Sequence, residues 1–238
     1  MQHPVKPKAV ISGGSRGIGK ALAIRLAAAG FDVAIYSRSM EKLEALKATI
    51  LEAYPQTDVF IKSCDAADKA AVQDFAHALK DYWPQVDVLV NNAGIFTPDN
   101  VLDAEEGVFE AMVHTNLHSA YYLTRALIDR MPREGQAYIF NICSIASLQA
   151  YPAGSLYTIT KHALLGFSRS LRQELKGQIR VSNVMPGATY TDSWAGADLP
   201  EERFMKAEDV AEAIYQAYAL SSRTVVEDIV LRPLEGDI

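Results

Sequence analysis

The sequence predicts an α/β fold: a doubly wound, parallel, seven-stranded sheet with helices on both faces. Three observations predict it. Short β-rich runs alternate regularly with longer helical patterns. The strand runs are almost continuously apolar, the pattern of strands covered on both faces. The turn from the first strand into the first helix is rich in glycine, "ISGGSRGIGKAL". A closed βα barrel is the rival architecture, and seven strands with this glycine turn count against it. No internal repeat, low-complexity tract or Pro/Gly/Ser-rich linker divides the chain, so residues 1–238 read as a single domain.

The elements follow in order. "KAVIS" (8–12) is a strand, and "GIGKALAIRLAAAG" (17–30) a helix closed by a glycine. "DVAIYS" (32–37) and "MEKLEALKATILEAY" (40–54) are the second pair, "DVFIKS" (58–63) and "KAAVQDFAHALKDYW" (69–83) the third. "VDVLVNN" (86–92) is the fourth strand, followed by one long helix over about 106–130. "AYIFNI" (137–142) is the fifth strand, and the helix after it carries Tyr157. "IRVSNVMP" (179–186), a helix over 207–220 and "DIVLRP" (228–233) complete the set.

Composition narrows the class. The chain has 238 residues, 49% of them hydrophobic, enough for one full core. Its net charge of −6 and the lack of any long Lys/Arg run argue against nucleic acid and anionic membranes as partners. The two cysteines, Cys64 and Cys143, are far apart and read as reduced thiols of a cytoplasmic protein. "MQHPVKPKAV" has no signal-peptide core, and the most apolar stretch, 21–36, is broken by Arg25, Gly30 and Asp32, so no membrane span is expected. His114 and His118 stand at i, i+4, but no third ligand is placed for them and no metal site is expected.

In an open parallel sheet, ligands collect beyond the C-terminal strand ends. The glycine turn lies there, where a bare backbone and a helix N-terminus suit a pyrophosphate. So do Asn91, Asn92, Ala93 and Gly94 after strand four, Ser144 after strand five, and Pro186 and Gly187 after strand six. Tyr157 and Lys161 are one helical turn apart and share a face. By itself each feature is an ordinary turn or pair. Independent turns would not need a titratable pair among them.

The ordered set "SGGSRGIG" (12–19), "NNAG" (91–94), "TNLHSAYYLTRAL" (115–127), "ICS" (142–144), "YTITK" (157–161) and "MPGATYT" (185–191) resembles the short-chain dehydrogenase/reductase family over essentially the whole chain. The 13-residue step from Ser144 to Tyr157 matches as well. Two positions depart from the family pattern: Ser12 stands where threonine is usual, and Cys143 where serine is common. The resemblance implies a Rossmann-like domain, a nicotinamide cofactor and hydride exchange between a small-molecule carbonyl and its alcohol. It makes Tyr157 the general acid in reduction, Lys161 its partner and the holder of the nicotinamide ribose, Ser144 the group that binds the substrate oxygen, and Asn116 the holder of a relay water. A free phenol ionises near pH 10, so easy proton exchange near neutrality needs about 4 kcal/mol of phenolate stabilisation. A neighbouring ammonium group and an oxidised nicotinamide ring supply it. Cofactor contacts are expected from Gly13, Ser15, Arg16, Gly17, Ile18 and Gly19, from Ser37, Arg38 and Asp65, from Asn92, Ala93 and Gly94, from Tyr157 and Lys161, and from Pro186, Gly187, Thr189 and Thr191.

Ser37 occupies the end of the second strand, where an NAD-specific site carries an acid. With Arg38 next to it and Arg16 in the glycine loop, the expected cofactor is NADP(H). Homodimer or homotetramer formation is expected through the two long helices, with Leu117, Tyr121, Tyr122, Leu165 and Phe167 outward. A short lid over about 192–205 is expected, with Trp194 or Phe204 touching substrate. A non-catalytic NADP(H)-binding regulator is the alternative function; it would need the glycine loop but not the Ser144, Tyr157, Lys161 and Asn116 set.

Overall fold

The computed structural model describes residues 6–191 and 198–238. Its sheet has seven parallel strands in the order β3-β2-β1-β4-β5-β6-β7. The strands are β1 (Lys8–Ser12), β2 (Asp32–Ser37), β3 (Val59–Ser63), β4 (Val88–Asn91), β5 (Tyr138–Ile142), β6 (Arg180–Pro186) and β7 (Asp228–Leu231). The chain runs outward from β1 through β2 to β3, then returns to the other side of β1 with β4. The switch point between β1 and β4 opens a crevice at their C-terminal ends.

Strand alternation sorts side chains to the two faces. Ala9, Ile11, Val33, Ile35, Val88 and Val90 pack under α1 (Gly17–Ala28), α2 (Met40–Ala53) and α7 (Ala207–Ala219). Val10, Ala34, Tyr36, Leu89 and Ile139 pack under α3 (Lys69–Tyr82) and α5 (Ser119–Leu127). Both faces are therefore apolar, which is why the strands read as continuous runs. Ser39 caps α2 by accepting from the Lys42 N–H, and Asp68 caps α3 by accepting from the Ala70 N–H.

The long helix expected over 106–130 is not one helix. Left-handed Gly107 (φ 86°) precedes α4 (Val108–Val113), a π-helical turn occupies His114–His118, α5 follows, and a 3-10 turn closes it at Ile128–Arg130. Asn116, buried in the π-turn, reaches across to the β4 loop and to α6 (Ser155–Glu174), and the extra residue in that turn aims it there. Leu165 corrects a second expectation. It is buried with Ala120, Leu164, Cys143 and Met185 between the helices, rather than facing outward.

Candidate active site

The glycine turn is built by close approach. Gly13 is left-handed (φ 62°), and a Cβ there would sit 2.9 Å from the Ala93 Cα. A Cβ on Gly19 would meet the Asn92 side-chain nitrogen at 2.6 Å and the Gly13 carbonyl at 2.8 Å. Gly19 therefore does not line the cleft, as expected for a cofactor contact, but lies behind it and seats α1 against the loop. The N-cap of α1 is Arg16, whose side chain has no acceptor to offer the helix's first N–H groups. Those donors suit an anion.

Polar side chains lock this turn to the end of β4. Ser12 Oγ accepts from the Asn92 and Ala93 N–H groups at 2.8 and 2.9 Å and donates to the Val90 carbonyl at 3.3 Å. The serine hydroxyl thus supplies all three bonds without threonine's methyl. The Asn92 side-chain amide donates to the Ser12 and Gly13 carbonyls at 2.9 and 3.0 Å. Its nitrogen ties two loops together.

One cleft of about 710 Å³ runs along these strand ends. Gly13, Ser15, Arg16, Gly17 and Ile18 line it from the glycine turn; Ser37, Arg38 and Asp65 line it from the β2 and β3 ends. Asn92, Ala93 and Gly94 follow from β4, and Pro186, Gly187, Thr189 and Thr191 from β6. Ser144, Tyr157 and Lys161 share the cleft. Lys42 and Ser39 also line it beside Arg38. Lys42 is not among the expected contacts, although it stands in the first turn of a helix that begins just after Arg38.

At the reaction end, buried Lys161 donates from Nζ to the Ile142 carbonyl at 2.8 Å, which leaves two further N–H donors for a ligand. Nζ stands 5.5 Å from the centre of the Tyr157 ring, and Phe96 meets that ring edge-on at 5.2 Å. Ser144 caps the 3-10 turn Ile145–Ser147: its Oγ accepts from the Ala146 N–H at 3.1 Å, and its own N–H donates to Ser147 Oγ at 3.2 Å. Only an acceptor lone pair of Ser144 Oγ is used by that bond, so its proton remains for a substrate oxygen. The local cap and the substrate role are compatible.

Asn116 does not line the cleft. Its Oδ1 accepts from the Ile95 N–H at 2.7 Å, and Nδ2 donates to the Ile95 carbonyl and Thr160 Oγ1, both at 3.0 Å. Asn116 thereby fixes the loop after β4 against the turn of α6 that carries Lys161. Cys143 packs between the helices, and burial pushes its thiol up to about 11. His114 and His118 stack on each other at 5.1 Å. Phe204 is buried, sits against the Tyr190 ring and does not line the cleft, contrary to the expected substrate contact. Trp194 and residues 192–197 of the expected lid lie outside the described residues.

A parallel sheet whose switch-point crevice holds a glycine cradle at one end and a phenol with an ammonium group at the other defines a dinucleotide-dependent oxidoreductase. The short chain dehydrogenase family model matches residues 7–201, and the chain belongs to that family. It is similar to a sepiapterin reductase of Chlorobaculum tepidum, with 34% identity over 96% of this chain and 97% of that protein. Among solved structures, an alcohol dehydrogenase of the archaeon Thermococcus sibiricus, complexed with 5-hydroxy-NADP, superposes with a TM-score of 0.90 at 27% identity, covering 98% of this chain and 99% of that one. A short chain dehydrogenase of Burkholderia cenocepacia in complex with NADP gives 0.86 at 31% identity, covering 96% and 98%.

Proposed function

We propose that this protein is an NADP(H)-dependent carbonyl reductase, exchanging a hydride between the nicotinamide and a carbonyl or alcohol substrate. The observation that carries the reading is the placement of Tyr157, Lys161 and Ser144 in the cleft that also contains the glycine cradle. The residues fit the cofactor. The left-handed Gly13 and the start of α1, whose N-cap side chain makes no cap bond, suit its pyrophosphate. Arg38, Arg16 and Lys42 suit a 2′-phosphate, and the spare donors of Lys161 suit the ribose.

When bound, NADPH supplies the hydride. The chain's own residues do the rest. Ser144 Oγ donates to the substrate oxygen and stabilises its growing charge. Tyr157 delivers its hydroxyl proton to that oxygen, which balances the transferred hydride and yields the alcohol. Lys161, fixed by the Ile142 carbonyl, holds positive charge near the phenolate left behind. Asn116 holds the loop and helix that frame this group.

Replacing Tyr157 by Phe keeps the ring and removes the proton. NADPH binding should stay within a few fold while kcat falls by about 100-fold or more, measured with a panel of ketones, aldehydes and ketoacyl thioesters. Near-normal turnover in Tyr157→Phe would place the acid elsewhere, and no turnover by the unmodified protein would favour a binding role alone.

Residence in the cytoplasm and assembly as a homodimer or homotetramer belong to the same proposal. Among the described residues no helix is long and apolar enough to cross a membrane. Tyr121 is exposed on α5, with Leu117 and Phe167 half-buried beside it, an apolar face suited to a second copy. Light scattering of the purified protein decides the assembly.

A further inference from the structure

The chain beyond β7 folds back onto the cleft. The Gly236 N–H donates to the Pro233 carbonyl at 2.9 Å, and Gly236 is left-handed (φ 90°), so residues 233–236 form a tight turn. That turn directs Asp237 against the loop before α6. Asp237 Oδ2 accepts from the Tyr151 hydroxyl at 2.6 Å, from the Arg232 guanidinium and from the Gln149 amide at 3.4 Å. Arg203 donates to the Asp237 carbonyl at 3.4 Å and pairs with Glu235 at 3.4 Å. Residues from three separate stretches, 149–151, Arg203 and Arg232, converge on this short segment.

The division of labour within it is informative. Ile238 lines the cleft, as does Tyr151, whereas Asp237 does not. The Asp237 side chain anchors the segment outside the cleft, and Ile238, partly exposed, borders the cleft. Phe96, Ile145 and Pro152 line the same cleft, and Phe96 touches the Tyr157 ring. The cleft around the reacting hydroxyl thus offers apolar side chains alongside the polar Ser144, Lys161, Tyr151 and Thr158.

We propose that residues 233–238 form a wall of the substrate chamber: Ile238 contacts the substrate and sets the size of the apolar group admitted, and Asp237 is a positioning residue that holds Ile238 there through Tyr151 and Arg232. The substrates are carbonyl compounds, or their alcohols, that carry an apolar or aromatic group beside the reacting carbon. This rests on the carbonyl reductase reading above.

The test uses the full chain with NADPH, comparing acetophenone with 2-butanone, and NADPH Kd as the control. Ile238→Ala should raise the acetophenone to 2-butanone ratio of kcat/KM by about tenfold, the scale set by a few methylenes in an apolar pocket, and Ile238→Phe should lower it. NADPH Kd should stay within twofold in both. Asp237→Asn keeps the shape but weakens the bonds to Arg232 and Tyr151. It should shift the ratio as Ile238→Ala does, through KM rather than kcat, and speed amide hydrogen exchange in residues 145–157. Turnover with an unchanged ratio in both Ile238 variants would overturn the wall, and unchanged exchange in Asp237→Asn would overturn the positioning role. Failure of the unmodified protein to reduce any carbonyl compound would instead remove the reading on which the wall rests.

Discussion

Arg38 stands where β2 leaves the sheet, exposed and lining the cleft, next to a buried Ser37 that leaves the 2′-position free of carboxylate. Arg16 lines the same cleft from the N-cap of α1, and Lys42 from the first turn of α2. Two guanidinium groups and an ammonium group lining one cleft favour a dianionic phosphate over a pair of hydroxyls. Charge-assisted bonds contribute about 1.5–3 kcal/mol each, so NADPH should be preferred over NADH by at least about tenfold in kcat/KM. Arg38→Ala should remove much of that preference with little change in NADH use, and Arg16 and Lys42 account for what is left. Equal or better kcat/KM with NADH in the unmodified protein would refute the assignment.

At the level of elements, the π-turn shows where sequence reading stops. The seven strands, the glycine turn and the Tyr157–Lys161 pair were legible because each is local: an apolar run, a cluster of glycines, a four-residue spacing. Nothing local marks His114–His118 as wider than its neighbours, and the partner that Asn116 reaches from it, Ile95, is 21 positions away. The sequence points Leu165 outward because the face that covers it, Ala120 and Met185, comes from other elements. The segment after β7 gave no signal either, since Tyr151 and Asp237 are 86 positions apart. Three bonds through Asn116 join the β4 loop, the π-turn and α6. Asn116→Leu keeps the bulk and leaves Ile95 N–H, the Ile95 carbonyl and the Thr160 hydroxyl without that partner. The half-buried Ile95 N–H and carbonyl lose that bond at about 1–3 kcal/mol each if left unpaired, while the Thr160 hydroxyl keeps its bond to the Tyr157 carbonyl. The melting temperature should fall by several degrees, as about 2–4 °C per kcal/mol predicts for a chain of this size. Because Asn116 holds Thr160, next to Lys161, and its Oδ1 and Lys161 Nζ both lie against Gly94, kcat should fall with it, while NADPH Kd moves by only a few fold. Unchanged melting and turnover would show that the π-turn holds itself.

Over the whole molecule, acid and alkali act on different parts. The carboxylates of Asp129 and Asp237 are held below their usual range, Asp129 first by the bond from Lys80 and Asp237 first by the bond from Arg232. A depressed carboxylate stabilises the fold above its unfolded value of 3.8 and loses that contribution only as pH falls further, so mild acid should cost little. The buried thiols behave oppositely. Burial pushes Cys64 up to about 12 and Cys143 up to about 11, from 9.0 for a free thiol. Burial likewise raises the Tyr36 hydroxyl, which lies against Phe75 in the core. Each raised group contributes fully below its unfolded value, and the contribution is lost as pH rises from there through the folded value. Burial, and then the neighbouring His114, lower His118 from its ordinary 6.5, so stability should ease as pH falls below 6.5, hold level from there to about pH 8, and fall above 9.0, where the free thiol ionises. Each thiol adds at most about 1.4 kcal/mol per pH unit to that slope. Cys64→Ala removes one titrating group from the core, so its urea-melt stability should fall less steeply between pH 9 and 11 than that of the unmodified protein, whatever its value at neutrality. Stability that holds level to pH 11, or identical alkaline slopes in the two proteins, would show that these thiols do not titrate with unfolding.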